Sequence, residues 1–284
     1  MVVYMLTRIA ASISMAWVVA SCGASDMPRL SEASTPGKQP FFVVMGGYQS
    51  CGDALDAAAK KEQRPSPLNM RLYPPFQTLL TKLKTDFGVT AEYIVSCFTL
   101  EGSRVFYAKS SAPTVVLQAD PFEFHKIVEE AVIAEPGSPR LTLVGHSHGG
   151  WLGMKLAEQM RSEVVIDRIE TLDPISYVNC NRTNIIEWRT RNPNPQCLRS
   201  PEDMNQEVQQ RIHDRVINWT TGHQDQSRYL HSSEISKSHD NYKTEFEINS
   251  VFGINAHTDF ADHPDIWGGI SDRVTGDVKS MLGR

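Results

Sequence analysis

Residues 141–151 read "LTLVGHSHGGW": apolar and β-favouring residues run into a glycine, a serine between two histidines, and two more glycines. "RLTLVGHS" predicts a strand buried on both faces, and Leu152, Leu156 and Met160 continue at helical spacing beyond it. The segment is therefore a strand, a turn at Ser147, and a helix starting at Gly149. Gly145 and Gly149 flank the serine because side chains there would collide with the neighbouring strand and helix. The helix also points its positive end at the serine, which favours negative charge there.

Outward from this turn the same units recur. "FFVVMGGYQS" starts as a buried strand, and Phe76, Leu79, Leu80, Leu83 and Phe87 form a helical stripe after Pro74-Pro75 that Gly88 stops. "AEYIVSCF" is a strand, Phe124 to Ala131 a helix, and "VVIDRIETLDP" a strand. Strands alternating with single helices imply right-handed crossovers and a mostly parallel central sheet flanked by helices, an α/β class. Residues 174–242 turn irregular and polar, a lid-like insertion with one strand near "RVINWTT". "TEFEINSVFGIN" reads as the last strand, followed by a helix with Ile266, Ile270, Val274, Val278 and Leu282 on one face.

Bulk properties bound the rest. With 284 residues, 40% hydrophobic and 21% charged, the chain supports one sizeable domain over 41–284. A net charge of −5 and the lack of a long basic run leave no footprint for nucleic acid. At the N-terminus, Arg8, an apolar stretch from Ile9 to Ala20 and small residues before Cys22 predict an exported chain with a signal peptide over 1–21 and a flexible tether over 22–40. Val19-Ala20-Ser21-Cys22 resembles a bacterial lipobox, which implies lipidation of Cys22, a membrane anchor there, and, with Gly23 following, an outer-membrane location. In that compartment the other four cysteines suit two disulfides, for which the preferred pairing is Cys51 with Cys97 and Cys180 with Cys197.

Gly145-His146-Ser147-His148-Gly149 matches the G-x-S-x-G nucleophile elbow in its strand-turn-helix context. With the order of elements, it makes the chain resemble a secreted α/β-hydrolase of the lipase and esterase type. That resemblance implies an acid and a histidine following the serine along the chain. Asp173 in "TLDPI" stands directly after the strand that follows the elbow helix; Asp225 in "HQDQS" is the alternative acid. Proline-fixed at a strand end, Asp173 is the better placed to orient a base. His257, on the loop expected after the last strand, is the preferred base; His263 lies against Pro264 and belongs to a helix start. The remaining histidines, His125, His213, His223, His231 and His239, read as exposed polar residues.

Two backbone donors are needed for an oxyanion. One is His148 N–H, and "VVMGGYQS" resembles the family's oxyanion turn, which implies Tyr48 N–H as the other, with Gln49 its neighbour. A zinc reading of His146 and His148 fails because such sites continue with an aspartate and a histidine, whereas Gly149-Gly150-Trp151 follow here; "HTDFADHPD" is a polar network around His257. No metal or cofactor is expected. The resemblance implies a small-molecule or lipid ester as substrate. Thioesterase, phospholipase and acyltransferase chemistry share the same residues, and a lipoprotein that kept the fold for binding alone is the non-enzymatic alternative.

Overall fold

The computed structural model describes residues 39–52, 65–99, 104–137, 139–175, 205–227, 231–249 and 253–284. Cys22, Cys180, Cys197 and the stretches read as signal peptide and as most of the tether lie outside these residues, as do 176–204 of the expected insertion.

Strand β1 (Pro40–Met45) is buried throughout because it has a parallel neighbour on each side, β2 (Glu92–Phe98) and β5 (Arg140–His146). Such a strand needs apolar residues on both faces, and its side chains split with a period of two. Phe41, Val43 and Met45 join one core with α2 (Phe124–Ala134), α3 (His148–Gln159) and α4 (Gln206–Arg215). Phe42 and Val44 join the other with α1 (Tyr73–Phe87) and the last helix, α6 (Pro264–Met281). Proline opens α1, and Gly88, at φ 70°, closes it by donating back to Leu83 and Lys84.

The eight strands run in the order β4-β3-β2-β1-β5-β6-β7-β8, with β6 at Ile166–Leu172, β7 at Val216–His223 and β8 at Asp240–Lys243. From β2 to β8 across the sheet the strands are parallel. Beyond β2 a hairpin, β3 (Val105–Lys109) and β4 (Ala112–Ala119), adds two antiparallel strands at the edge. This is a mostly parallel central sheet flanked by helices on both faces, the expected α/β class.

Two expectations need correction. First, the described part of "TEFEINSVFGIN" is not a strand: β8 stops at Lys243, Thr244–Asn249 has no regular structure, and Ile254–Asp259 forms a short helix, α5. Phe246 and Ile248 alternate with charged residues as a strand would, but β7 ends at His223 and leaves no ladder to extend. The Gln226 side chain substitutes for a neighbouring strand, donating to Phe246 O at 2.8 Å and accepting from Phe246 N at 2.5 Å. Second, α4, β7 and β8 belong to the central architecture, so among the described residues the sheet runs through the stretch read as an insertion. α4 was hidden by its polarity: only Val208 and Ile212 are apolar, and Asn205 caps it by accepting from Val208 N at 2.9 Å.

Candidate active site

Ser147 sits between β5 and α3 at φ 56°, ψ −127°, a conformation a side chain adopts only under constraint. Its N–H donates to Leu172 O at 2.9 Å, and its carbonyl accepts from Gly150 N at 2.9 Å and Ile175 N at 3.1 Å. The flanking glycines are sterically obligatory. A Cβ on Gly145 would lie 2.3 Å from Gly149 O, and one on Gly149 would lie 2.1 Å from Met45 O. The same closeness extends to the turn after β1, where a Cβ on Gly47 would stand 2.6 Å from Ser147 Cβ and 2.9 Å from its Oγ. That turn thus passes against the hydroxyl.

The turn is built to stay there. Gly46 N donates to Ser96 O at 2.8 Å; Ser50 closes the turn by donating from N (3.2 Å) and Oγ (2.6 Å) to Gly47 O. Gln49 takes φ 60° within it. Cys51 is disulfide-bonded to Cys97 at the end of β2, the first of the two expected pairings. Tyr48 lays its ring against Phe98 and 4.9 Å from that of His148.

Asp173 follows β6 at φ 44°, its N–H donating to Gly222 O at 2.7 Å. Among the described residues Gln49, Ser147 and Asp173 are the non-glycine residues with positive φ, and all three belong to this region. The Asp173 carboxylate is fully buried and accepts three hydrogen bonds: from His257 Nδ1 (2.6 Å) and Gln224 Nε2 (2.7 Å) on Oδ2, and from Ser232 N (2.8 Å) on Oδ1. Burial pushes its pKa up; the three donors, His257 foremost, outweigh burial and hold it below the usual carboxylate value. With Nδ1 engaged, His257 keeps Nε2 for a partner on the other side of the ring.

His257 rides on α5 instead of a loop, and is buried. The elbow reaches it directly: His146 Nε2 donates to His257 O at 2.7 Å, and the two rings are 4.7 Å apart. The two elbow histidines diverge. His146 turns under α5, and His148 enters an aromatic box of Tyr48, Phe98 and Trp151. Burial, the largest influence on each, lowers both to about 3, so both rings are neutral near pH 7.

The alternatives lie elsewhere. Asp225 is exposed and paired with Lys243 Nζ at 2.9 Å, and His263 stands at the N-terminal boundary of α6 with its ring edge-on to Phe246. Gln224, not its acidic neighbour, reaches the buried carboxylate, while its own Oε1 accepts from Gln226 N and Ser227 N. Gln224, Ser232 and His146 were not singled out from the sequence as partners of Asp173 and His257. Of the histidines expected on the surface, His223 is buried at the end of β7, and His213 stacks on His239 at 4.1 Å.

No protein-family model matches the chain, nor does any curated protein. Solved structures to which the chain shows similarity include the ydeN gene product from B. subtilis, at 12% identity and TM-score 0.44, covering 84% of this chain and 100% of that one. Alpha/beta hydrolase domain-containing protein 10 from mouse matches at 11% identity and TM-score 0.43, covering 87% and 92%. Est1E from Butyrivibrio proteoclasticus matches at 11% and 0.42, covering 89% and 92%.

Proposed function

We propose that this chain is a serine hydrolase that cleaves carboxylic esters through an acyl-enzyme, with Ser147 as nucleophile, His257 as base and Asp173 as the acid that orients it. The observation that carries the reading is the 2.6 Å bond between His257 Nδ1 and a buried, triply hydrogen-bonded Asp173, at the sheet edge where Ser147 stands on its strained turn.

In this mechanism Ser147 Oγ attacks the ester carbonyl carbon while His257 Nε2 takes the hydroxyl proton. The carbonyl oxygen becomes an oxyanion held by the N–H groups of Tyr48 and His148, each such donor contributing about 3 kcal/mol to the barrier reduction. Support for Tyr48 comes from the closeness of the Gly47 turn to Ser147, where a Cβ on Gly47 would meet the hydroxyl, and for His148 from its place at the first turn of α3. His257 passes the proton to the leaving alcohol oxygen as the C–O bond breaks. A water then repeats the sequence, giving its proton to His257 and releasing the acid and Ser147. Throughout, Asp173 stays ionised and stabilises the imidazolium.

The test is labelling by a fluorophosphonate probe together with turnover of p-nitrophenyl esters of short and long chain. The wild type is expected to do both and Ser147→Ala neither, at an unchanged melting temperature. A wild type that neither reacts nor turns over would leave a binding protein. Export and lipidation at Cys22 complete the proposal, in keeping with the Cys51–Cys97 bridge, since disulfides persist in oxidising compartments. Loss of membrane association in Cys22→Ala tests it.

A further inference from the structure

α5 has six residues, too few to hold a helix by its own hydrogen bonds. The carbonyls of a helix's last turn lack α-helical i+4 donors. His257 O is one of them: the N–H that would close an α-helical bond onto it, that of Ala261, donates instead to Thr258 O at 3.3 Å. The missing donor arrives from the elbow, 111 residues away, as His146 Nε2 at 2.7 Å. Both partners are buried, so no water offers a substitute. Because the acceptor is a carbonyl, the nitrogen facing it must carry the proton, which fixes the ring as the Nε2–H tautomer. On the outer side α5 is held by Arg71, whose guanidinium reaches Asp259 at 3.1 Å and Asp262 at 2.8 Å, but that fork is exposed and contributes little to rigidity.

We propose that His146 is a positioning residue: its Nε2–H holds the carbonyl of His257 and so keeps the base in register with Asp173 and the elbow. The inference rests on the triad reading above. It makes the residue before the nucleophile the direct strut of the residue that takes the nucleophile's proton. Proton transfer depends steeply on such placement, so a loosened α5 lowers turnover more than binding.

The test compares two amides of different reach. In His146→Gln the amide nitrogen comes near the position of Nε2, whereas in His146→Asn it stops near that of Nδ1. Both variants are polar, and neither brings a charge into the core. His146→Gln is expected to keep kcat within about 3-fold of wild type. His146→Asn is expected to lose about 10-fold or more in kcat with KM within about 2-fold, and its α5 amides are expected to exchange with solvent about 10-fold faster. If the two variants match each other in both measurements, whether both resemble wild type or both fall together, the reach of the side chain is irrelevant and the inference is overturned. Failure of the triad reading is a separate outcome, seen as an inactive wild type; the exchange comparison then still decides whether His146 holds α5.

Discussion

Acidifying this protein from about pH 7 to about pH 5 is expected to weaken the fold through two imidazoles that hardly meet water. His146 and His148 are 8% and 4% exposed, and burial lowers each to about 3. In the unfolded chain both return to about 6.5. The folded value lies below the unfolded one, so the unfolded chain takes up protons first. Stability is complete above about pH 6.5 and is lost as the pH falls toward about 3. Inside that window each histidine removes about 1.4 kcal/mol per pH unit, or about 2 kcal/mol between about pH 7 and about pH 5. The pair therefore removes about 4 kcal/mol, a large share of a typical stability of about 5 to 15 kcal/mol. Other buried groups do not share this signature: Asp173 is held below the usual carboxylate value, and burial shifts Glu170 upward against Arg273 and Arg168. A single variant isolates the effect. His148→Phe keeps a flat ring among Tyr48, Phe98 and Trp151 and removes one titrating group. In urea unfolding followed by tryptophan fluorescence, wild type is expected to lose about 2 kcal/mol more than His148→Phe between the two pH values. Equal losses in the two proteins would refute the reasoning, because a neutral His148 buried in the native state is its only source.

Asp173→Asn is expected to lower kcat on p-nitrophenyl acetate by about 10,000-fold, since the amide favours the wrong tautomer of His257, while Asp225→Asn stays within about 2-fold; the reverse ranking would move the acid to Asp225. Opening the Cys51–Cys97 bridge, which spans 46 residues, by paired substitution to alanine is expected to lower stability by about 4 kcal/mol in denaturant titration, with activity falling as the turn over Ser147 loosens. A bridge whose loss leaves both unchanged would have no part in holding that turn.

The elbow was legible because its constraint is local. Gly145 and Gly149 are glycines on account of backbone atoms a few ångströms away, and a strand, a turn and a helix in immediate succession announce that crowding. Asp173 was legible for a related reason: a strand end and a proline leave its carboxylate at the same edge as the serine. What the sequence concealed is non-local. His146 meets its acceptor 111 residues along the chain and Gln224 meets Asp173 at a separation of 51, and nothing in the flanking residues marks either partner. The β3–β4 hairpin escaped notice because β4 is an edge strand, mostly exposed, without the alternation that burial of one face imposes. The strand expected from Thr244 and absent at 244–249 shows the converse. Alternation was present, but a strand also needs a neighbour, and the side chain of Gln226 had taken that place.

The backbone corners at Gln49, Ser147 and Asp173 carry a consequence for how this protein can change. Each holds a side-chain-bearing residue where glycine would rest more easily, at about 1 to 3 kcal/mol apiece. Under the proposed mechanism, glycine at Ser147 or Asp173 would relax a corner while deleting the nucleophile or the acid. At Gln49 the same relief would leave both of those groups in place. On the proposed mechanism, variants picked for endurance at high temperature would therefore drift toward inert proteins at Ser147 and Asp173, whereas relief at Gln49 would spare both groups.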